Sequence, residues 1–254
     1  MTKTFDRIVL ITGAGSGIGA EAARRLAAPG TALVLHTRKN ADGLKGVADV
    51  CEASGAATEI VLGDLADPAV PQAMIEAARQ RFGRVDQIVS NAAQAARSTL
   101  GELRPEDLGQ AFDTMPTALL RLVDAAMSDL VASSWGRVVV VSSFVAHIFG
   151  TAGIHFPATS AAKGALEALA KSMAVQLAPQ GVTVNCVVPG FTRKDPTGHF
   201  AATTSALEKA IAVTPTGRLT LPADVAAAIQ FLLSRDASQI TGQSLHVDGG
   251  LTLP

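Results

Sequence analysis

An apolar run at residues 7–12 ends in Thr12-Gly13-Ala14-Gly15-Ser16-Gly17-Ile18-Gly19, and a helix-forming stretch follows at once. Glycines at such a corner let the chain turn tightly and bring its backbone up to a pyrophosphate seated at a helix N-terminus. A lone glycine motif is a weak sign. Here it stands between a strand and a helix, which is the context a dinucleotide site requires. The alternative is an ordinary Gly-rich turn. The next apolar run ends at His36, with Thr37-Arg38-Lys39 after it. An NAD site places an acid there for the ribose 2′-hydroxyl, whereas an arginine fork suits a 2′-phosphate. With no acid at Thr37 and Arg38 next to it, the sequence favours NADP(H), NAD(H) being the alternative. A solvated Arg-Lys pair in a loop is the competing explanation.

Alternating strands and helices must position these residues. The sequence predicts strands at 7–12, 32–36, 58–62, 87–90, 136–142, 182–187 and 244–247. Most are continuous apolar runs, as strands covered on both faces should be. Helices are predicted at 17–28, 42–54, 68–82, 105–131, 157–178 and 222–233. Proline stands near the start of the third and sixth, and Pro179-Gln180-Gly181 stops the fifth. The order implies right-handed crossovers and a mainly parallel sheet: an α/β, Rossmann-type doubly wound fold, with the whole chain as a single domain. Residues 191–216 form the one long irregular stretch, with a short helix expected near 205–212. A loop of this length often covers a site.

Bulk properties agree with a soluble α/β protein. The 254 residues are 48 % hydrophobic and 17 % charged, with a net charge of −1, so neither disorder nor binding to nucleic acid or an anionic membrane is expected. No run approaches the ~18 apolar residues of a membrane span. Cys51 and Cys186 are expected to be buried free thiols. No signal-peptide pattern opens the chain, and a cytoplasmic location and a small-molecule substrate follow as expectations. No metal is expected. Tyrosine is absent.

Further motifs extend the pattern. Gly63-Asp64-Leu65 follows the third run and Ser90-Asn91-Ala92-Ala93 the fourth. The run at 138–143 ends in Ser143, Lys163 opens Lys-Gly-Ala-Leu-Glu-Ala-Leu-Ala-Lys-Ser-Met-Ala, and Val184-Asn185-Cys186-Val187-Val188-Pro189-Gly190 comes later. Thr241-Gly242-Gln243 and Val247-Asp248-Gly249-Gly250 close the series. Taken in order with the glycine corner, these cover about residues 7–250, and the chain resembles the short-chain dehydrogenase/reductase family. The resemblance implies hydride transfer between a nicotinamide dinucleotide and a carbonyl or alcohol. It implies cofactor contacts at Gly13, Ser16, Gly17, Ile18, Gly19, Asp64, Leu65, Asn91, Lys163, Pro189, Gly190 and Thr192. Arg38 joins them on the reading above. Relatives also pair helices corresponding to 105–131 and 157–178 between subunits, so a homotetramer is expected.

The same resemblance locates a break. Family members use a serine to hold the substrate oxygen, a tyrosine to transfer the proton, a lysine four residues on, and an asparagine that anchors a relay water. Ser143 and Lys163 match. Thr159 stands in the tyrosine position and Met115 in the asparagine position. A threonine hydroxyl is too short, and its pKa too high, to replace a phenol. Three substitutes offer themselves: water ordered by Thr159, Lys163 itself, or a histidine near neutral pKa, His155 ahead of His147. In relatives the Thr192 position meets the nicotinamide carboxamide, and Lys194 nearby is a candidate for the pyrophosphate. The expected function is therefore an NADP(H)-dependent oxidoreductase with an altered proton route at Ser143, Thr159 and Lys163. The alternatives are a catalytically silent dinucleotide-binding protein and a non-redox enzyme using Ser143 and Lys163.

Overall fold

The β-branched runs become strands because each is covered on both sides. A computed structural model of the chain describes residues 4–193 and 204–253. Among these, β1 (Arg7–Ile11), β2 (Thr31–Thr37), β3 (Ala57–Leu62), β4 (Gln87–Ser90), β5 (Arg137–Val141), β6 (Thr183–Pro189) and β7 (Ser244–Val247) form one sheet in the order β3-β2-β1-β4-β5-β6-β7. Every neighbouring pair is parallel. Strands β2, β5 and β6 are buried along their whole length. The edge strand β3 instead leaves Ile60 and Leu62 exposed.

Alternate residues of each strand feed two cores. Val9, Ile11, Leu33 and Leu35 pack with Leu26 of α1 (Gly17–Leu26), Leu44 and Val47 of α2 (Ala41–Ala53) and Ile229 of α8 (Pro222–Leu233). On the other face Ile8, Leu10, Val138 and Val184 pack with Met74 of α3 (Ala69–Phe82), Leu119 and Leu122 of α5 (Ala118–Ala132) and Leu166 of α6 (Pro157–Leu177). Cys51 and Cys186 are buried and free, as expected.

The continuous helix expected over 105–131 is two helices. A π turn at Asp113–Thr117 joins α4 (Pro105–Phe112) to α5. Pro116 inside that turn accounts for it, because proline has no N–H to give and its ring crowds the carbonyl one turn back. The turn carries Met115, buried in the core. Other boundaries lie within about two residues of expectation. The short helix expected at 205–212 is α7 (Thr204–Ala212). Residues 194–203 of the expected lid, Lys194 among them, lie outside the described residues.

The strand order turns back on itself between β1 and β4. In open parallel sheets that reversal opens a crevice beyond the carboxyl ends of the strands, where ligands bind. The glycine corner follows β1 at this point, and Asn91 follows β4.

Candidate cofactor and reaction site

The corner after β1 is held from β4. The Thr12 hydroxyl accepts the backbone N–H groups of Asn91 and Ala92, each at 2.9 Å. Asn91 Nδ2 donates in return to the Thr12 and Gly13 carbonyls at 2.9 and 3.2 Å. Asn91 thus fixes the glycine corner. Gly19 must lack a side chain, since a Cβ there would lie 2.3 Å from the Gly13 carbonyl oxygen. Gly17 has a left-handed φ of 55°, and a Cβ there would meet nothing within 4 Å. Gly17 stands at the start of α1. Ser16 caps it with no side-chain hydrogen bond, and the first turn has no acid to repel an anion. Ile18 packs on the core beneath. These residues fit a pyrophosphate.

Two further groups flank the corner. Arg38 and Asp64 form a half-exposed pair with Nη1 and Oδ2 3.5 Å apart. Asp64 Oδ1 also accepts the Ala66 N–H at 3.1 Å, while Leu65 is buried in the core. Asn40 was not singled out by its sequence pattern. Its Nδ2 donates to the Gly15 carbonyl at 2.9 Å and its Oδ1 accepts the Gly43 N–H, so it ties the glycine corner to the start of α2. An asparagine just before a helical run is a recognisable N-cap signal.

The sheet brings the reaction residues together at the same end. Ser143 follows β5 and caps the short 3-10 turn Phe144–Ala146, its Oγ accepting the Val145 N–H at 3.5 Å. Helix α6 carries Thr159 and Lys163, both buried and one turn apart on a common face. Lys163 Nζ donates to the Val141 carbonyl at 2.6 Å, which docks α6 against the end of β5. Burial brings the Lys163 ammonium down to about 8, with Cys186 and Glu167 acting against that fall. Pro189 ends β6, and Gly190 donates to the Val247 carbonyl at 3.1 Å. Thr192 follows, its Oγ1 donating to the Gly190 carbonyl at 3.0 Å. Phe144, Val145 and Leu251, with Ile148, Phe156 and Phe191 against them, form an apolar cluster beside Ser143.

The enoyl-(acyl carrier protein) reductase family pattern matches residues 13–252. The 3-oxoacyl-[acyl-carrier-protein] reductase FabG of Salmonella typhimurium is 35 % identical over 246 residues, covering 96 % of this chain and 97 % of the relative. The monensin polyketide synthase putative ketoacyl reductase of Streptomyces virginiae is 33 % identical, covering 99 % of each. Among solved structures, YwfH, described as an NADPH-dependent reductase involved in bacilysin biosynthesis, superimposes with a TM-score of 0.89 at 27 % identity, covering 98 % of this chain and 99 % of that one. A Serratia marcescens short-chain dehydrogenase/reductase variant gives 0.88 at 26 %, covering 98 % of each. This chain belongs to the short-chain dehydrogenase/reductase family.

Thr159 and Met115 stand where the resemblance leads us to expect a tyrosine and an asparagine. Thr159 has no phenol to offer, and its Oγ1 accepts the Ala96 N–H at 3.3 Å. Met115 supplies no amide and is buried at 2 % exposure. Of the two histidines, His155 is exposed against Gly150, whereas His147 Nε2 lies 2.9 Å from Glu167 Oε1. The sequence order of preference put His155 first; the contacts tie His147, not His155, to a buried carboxylate. Glu167 is a second residue that sequence reasoning passed over. Its signal was visible: an acid four residues after Lys163, on a face otherwise filled by Leu166, Ala170 and Met173.

Proposed function

We propose that this chain is an NADP(H)-dependent reductase of ketones, working also as a dehydrogenase of the matching alcohols. The observation that carries the reading is the placement of Lys163. It is buried one turn from Thr159 and hydrogen-bonded to Val141, the last residue of β5 two positions before Ser143, at the sheet end that holds the glycine corner. In this reading Gly13, Ser16, Gly17, Ile18 and Gly19 hold the pyrophosphate and Arg38 the 2′-phosphate. Asp64, Leu65 and Asn91 line the adenosine side, and Pro189, Gly190 and Thr192 the nicotinamide side. When bound, the cofactor supplies the hydride. Ser143 holds the substrate oxygen by its hydroxyl. Lys163, with its ammonium brought near neutrality by burial, gives that oxygen a proton, the task a tyrosine performs in relatives.

The relatives' printed activities supply the substrate class. FabG proteins reduce 3-oxoacyl carriers by name, and the apolar cluster around Phe144, Phe156 and Phe191 suits an acyl chain beside a ketone. The expected assembly is a homotetramer in the cytoplasm, the chain a single dinucleotide-binding domain. Leu120 and Val131 of α5 and Val175 of α6 stay exposed in one subunit, as contacts between copies would require.

One observation favours a second reading. The Ala96 N–H occupies the Thr159 hydroxyl and brings the segment after β4 onto the reaction centre. A protein that keeps its cofactor site but closes its substrate site is a binding protein. Incubation with NADPH and a panel of 3-oxoacyl thioesters and simple ketones, and with NADP and alcohols, separates the two. Oxidation of NADPH dependent on a ketone supports the reductase. Tight NADPH binding without turnover on any of them supports the binding protein.

A further inference from the structure

Glu167 lies one helical turn beyond Lys163 on α6 and is 5 % exposed. A buried carboxylate is costly unless it is hydrogen-bonded. This one is met by three side chains. Its Oε1 accepts from Ser142 Oγ at 2.5 Å and from His147 Nε2 at 2.9 Å, and its Oε2 accepts from Ser244 Oγ of β7 at 2.8 Å. Burial alone would push its pKa up; the hydrogen bonds from Ser142, Ser244 and His147 outweigh it and hold the carboxyl below the usual range.

The placing of those donors bears on Ser143. Ser142 directly precedes it, and His147 directly follows the 3-10 turn that Ser143 caps. One carboxylate oxygen therefore grips the chain on both sides of Ser143. The same carboxylate, with Cys186, is one of two acidic groups that raise buried Lys163 against the effect of burial. The other groups around the pair are Cys186 of β6, Lys171 further along α6, and His246 behind His147. The two histidine rings are 4.6 Å apart and edge-on, and His246 is in turn 3.6 Å from Asp248. Burial keeps the Cys186 thiol up at about 12, so it brings no charge near neutrality.

We propose that Glu167 is the positioning residue of this centre: fixed by Ser142, Ser244 and His147, its carboxylate pins the corner that carries Ser143 and supplies the counter-charge to the Lys163 ammonium. Its effect on turnover rests on the reductase reading above; its effect on Lys163 does not. No bond is made or broken at Glu167. It acts through the two residues it holds.

The test uses the full chain, labelled with 13C and 15N in its lysines and glutamates, without cofactor. The Lys163 signal is identified by its loss in Lys163→Met and followed by NMR against pH. In the wild type it titrates near about 8. In Glu167→Gln the midpoint falls by about one unit, the low end of what an opposite charge one helical turn away gives, and Glu167→Asp restores most of the difference. An unchanged midpoint in the Gln variant overturns the proposal. Should that variant fail to fold, the wild-type Glu167 carboxyl signal decides: an inflection at the Lys163 midpoint supports the coupling, and a flat response overturns it. With NADPH and a ketone, Glu167→Gln lowers kcat at least about tenfold and moves the alkaline limb of its pH profile down with the Lys163 midpoint; a kcat profile identical to wild type overturns the catalytic half. If the wild type itself shows no turnover, the reductase reading fails while the NMR result still decides the role of Glu167.

Discussion

The Ala96 N–H donates to the Thr159 hydroxyl at 3.3 Å, so the segment after β4 rests on the position where the resemblance leads us to expect a tyrosine. Thr159 is buried and Ala96 exposed, which places the segment as a cover over the helix. Restoring the phenol requires that cover to shift. Thr159→Tyr is expected to create or raise ketone reduction with NADPH, at the lower end of the ~10²–10⁴-fold that a placed general acid contributes. The gain is held down by Met115, and Met115→Asn in the same chain should raise it more than additively. Ser143→Ala should remove the gain. A folded, NADPH-binding Tyr variant with no turnover would favour the binding-protein reading.

Arg38 is free to serve a cofactor phosphate because its present partner is weak. A half-exposed pair at 3.5 Å such as Arg38–Asp64 is worth at most about 1 kcal/mol. Exchange for a 2′-phosphate gains a charge-assisted, forked contact. Arg38→Ala should weaken NADPH binding by ~1.5–3 kcal/mol and leave NADH nearly unchanged. Fluorescence titration of both cofactors checks this; tighter binding of NADH by the wild type would contradict the NADP(H) preference.

The parallel sheet was legible because burial on both faces leaves an unbroken apolar run, as in residues 137–141, and because proline and glycine mark helix ends. The π turn at Asp113–Thr117 was missed although Pro116 announces it, since the apolar spacing continues through the proline and hides the break. At the candidate site, Gly13, Gly17 and Lys163 could be singled out from motifs alone. The hydrogen bonds to Glu167 could not, because Ser142, His147, Glu167 and Ser244 are separated by up to 102 residues and only the fold brings them together. Asn91 shows the opposite limit: its motif was recognised, but only coordinates reveal that its amide is spent on the Thr12 and Gly13 carbonyls.

The Thr12 hydroxyl is predicted to be a hinge pin of the cofactor site. Thr12→Val keeps the shape but leaves the Asn91 and Ala92 N–H groups without their acceptor, at about 1–3 kcal/mol for each group that stays buried and unpaired. Urea unfolding should show the loss, and NADPH affinity should fall with it because the glycine corner is held from the same place. Gly19→Ala should be worse, since its methyl would meet the Gly13 carbonyl at 2.3 Å. Wild-type cofactor affinity in a folded Gly19→Ala chain would show that the corner does not bind the pyrophosphate.

Lys163 ties folding stability to pH. In the unfolded chain a lysine titrates near ~10.4; inside the fold, burial brings this one to about 8. Below pH 8 both states hold the proton, and the fold bears the full cost of a buried ammonium, about 3 kcal/mol from the difference between the two values. Between pH 8 and about 10.5 the unfolded chain keeps a proton that the folded chain has released, so the Lys163 contribution to stability rises with pH. The two buried thiols pull the other way. Cys51 and Cys186 are raised to about 11 and about 12, so above pH 9 the unfolded chain loses protons that the folded chain retains. The raw stability curve mixes these slopes, and the informative quantity is the difference between wild type and Lys163→Met. Met removes the ionisable group and leaves both thiols in place; its lost hydrogen bond to the Val141 carbonyl adds an offset, and because the Lys163 charge also lowers the Cys186 thiol the difference is read chiefly below pH 10.5. The stability of the wild type relative to Lys163→Met should therefore climb by roughly 3 kcal/mol from pH 7 to pH 11, most of it between 8 and 10.5. Urea unfolding at five or six pH values measures it. A difference that stays constant across the range would mean that Lys163 titrates in the fold as it does in water, and that it is not the near-neutral proton donor proposed for this centre.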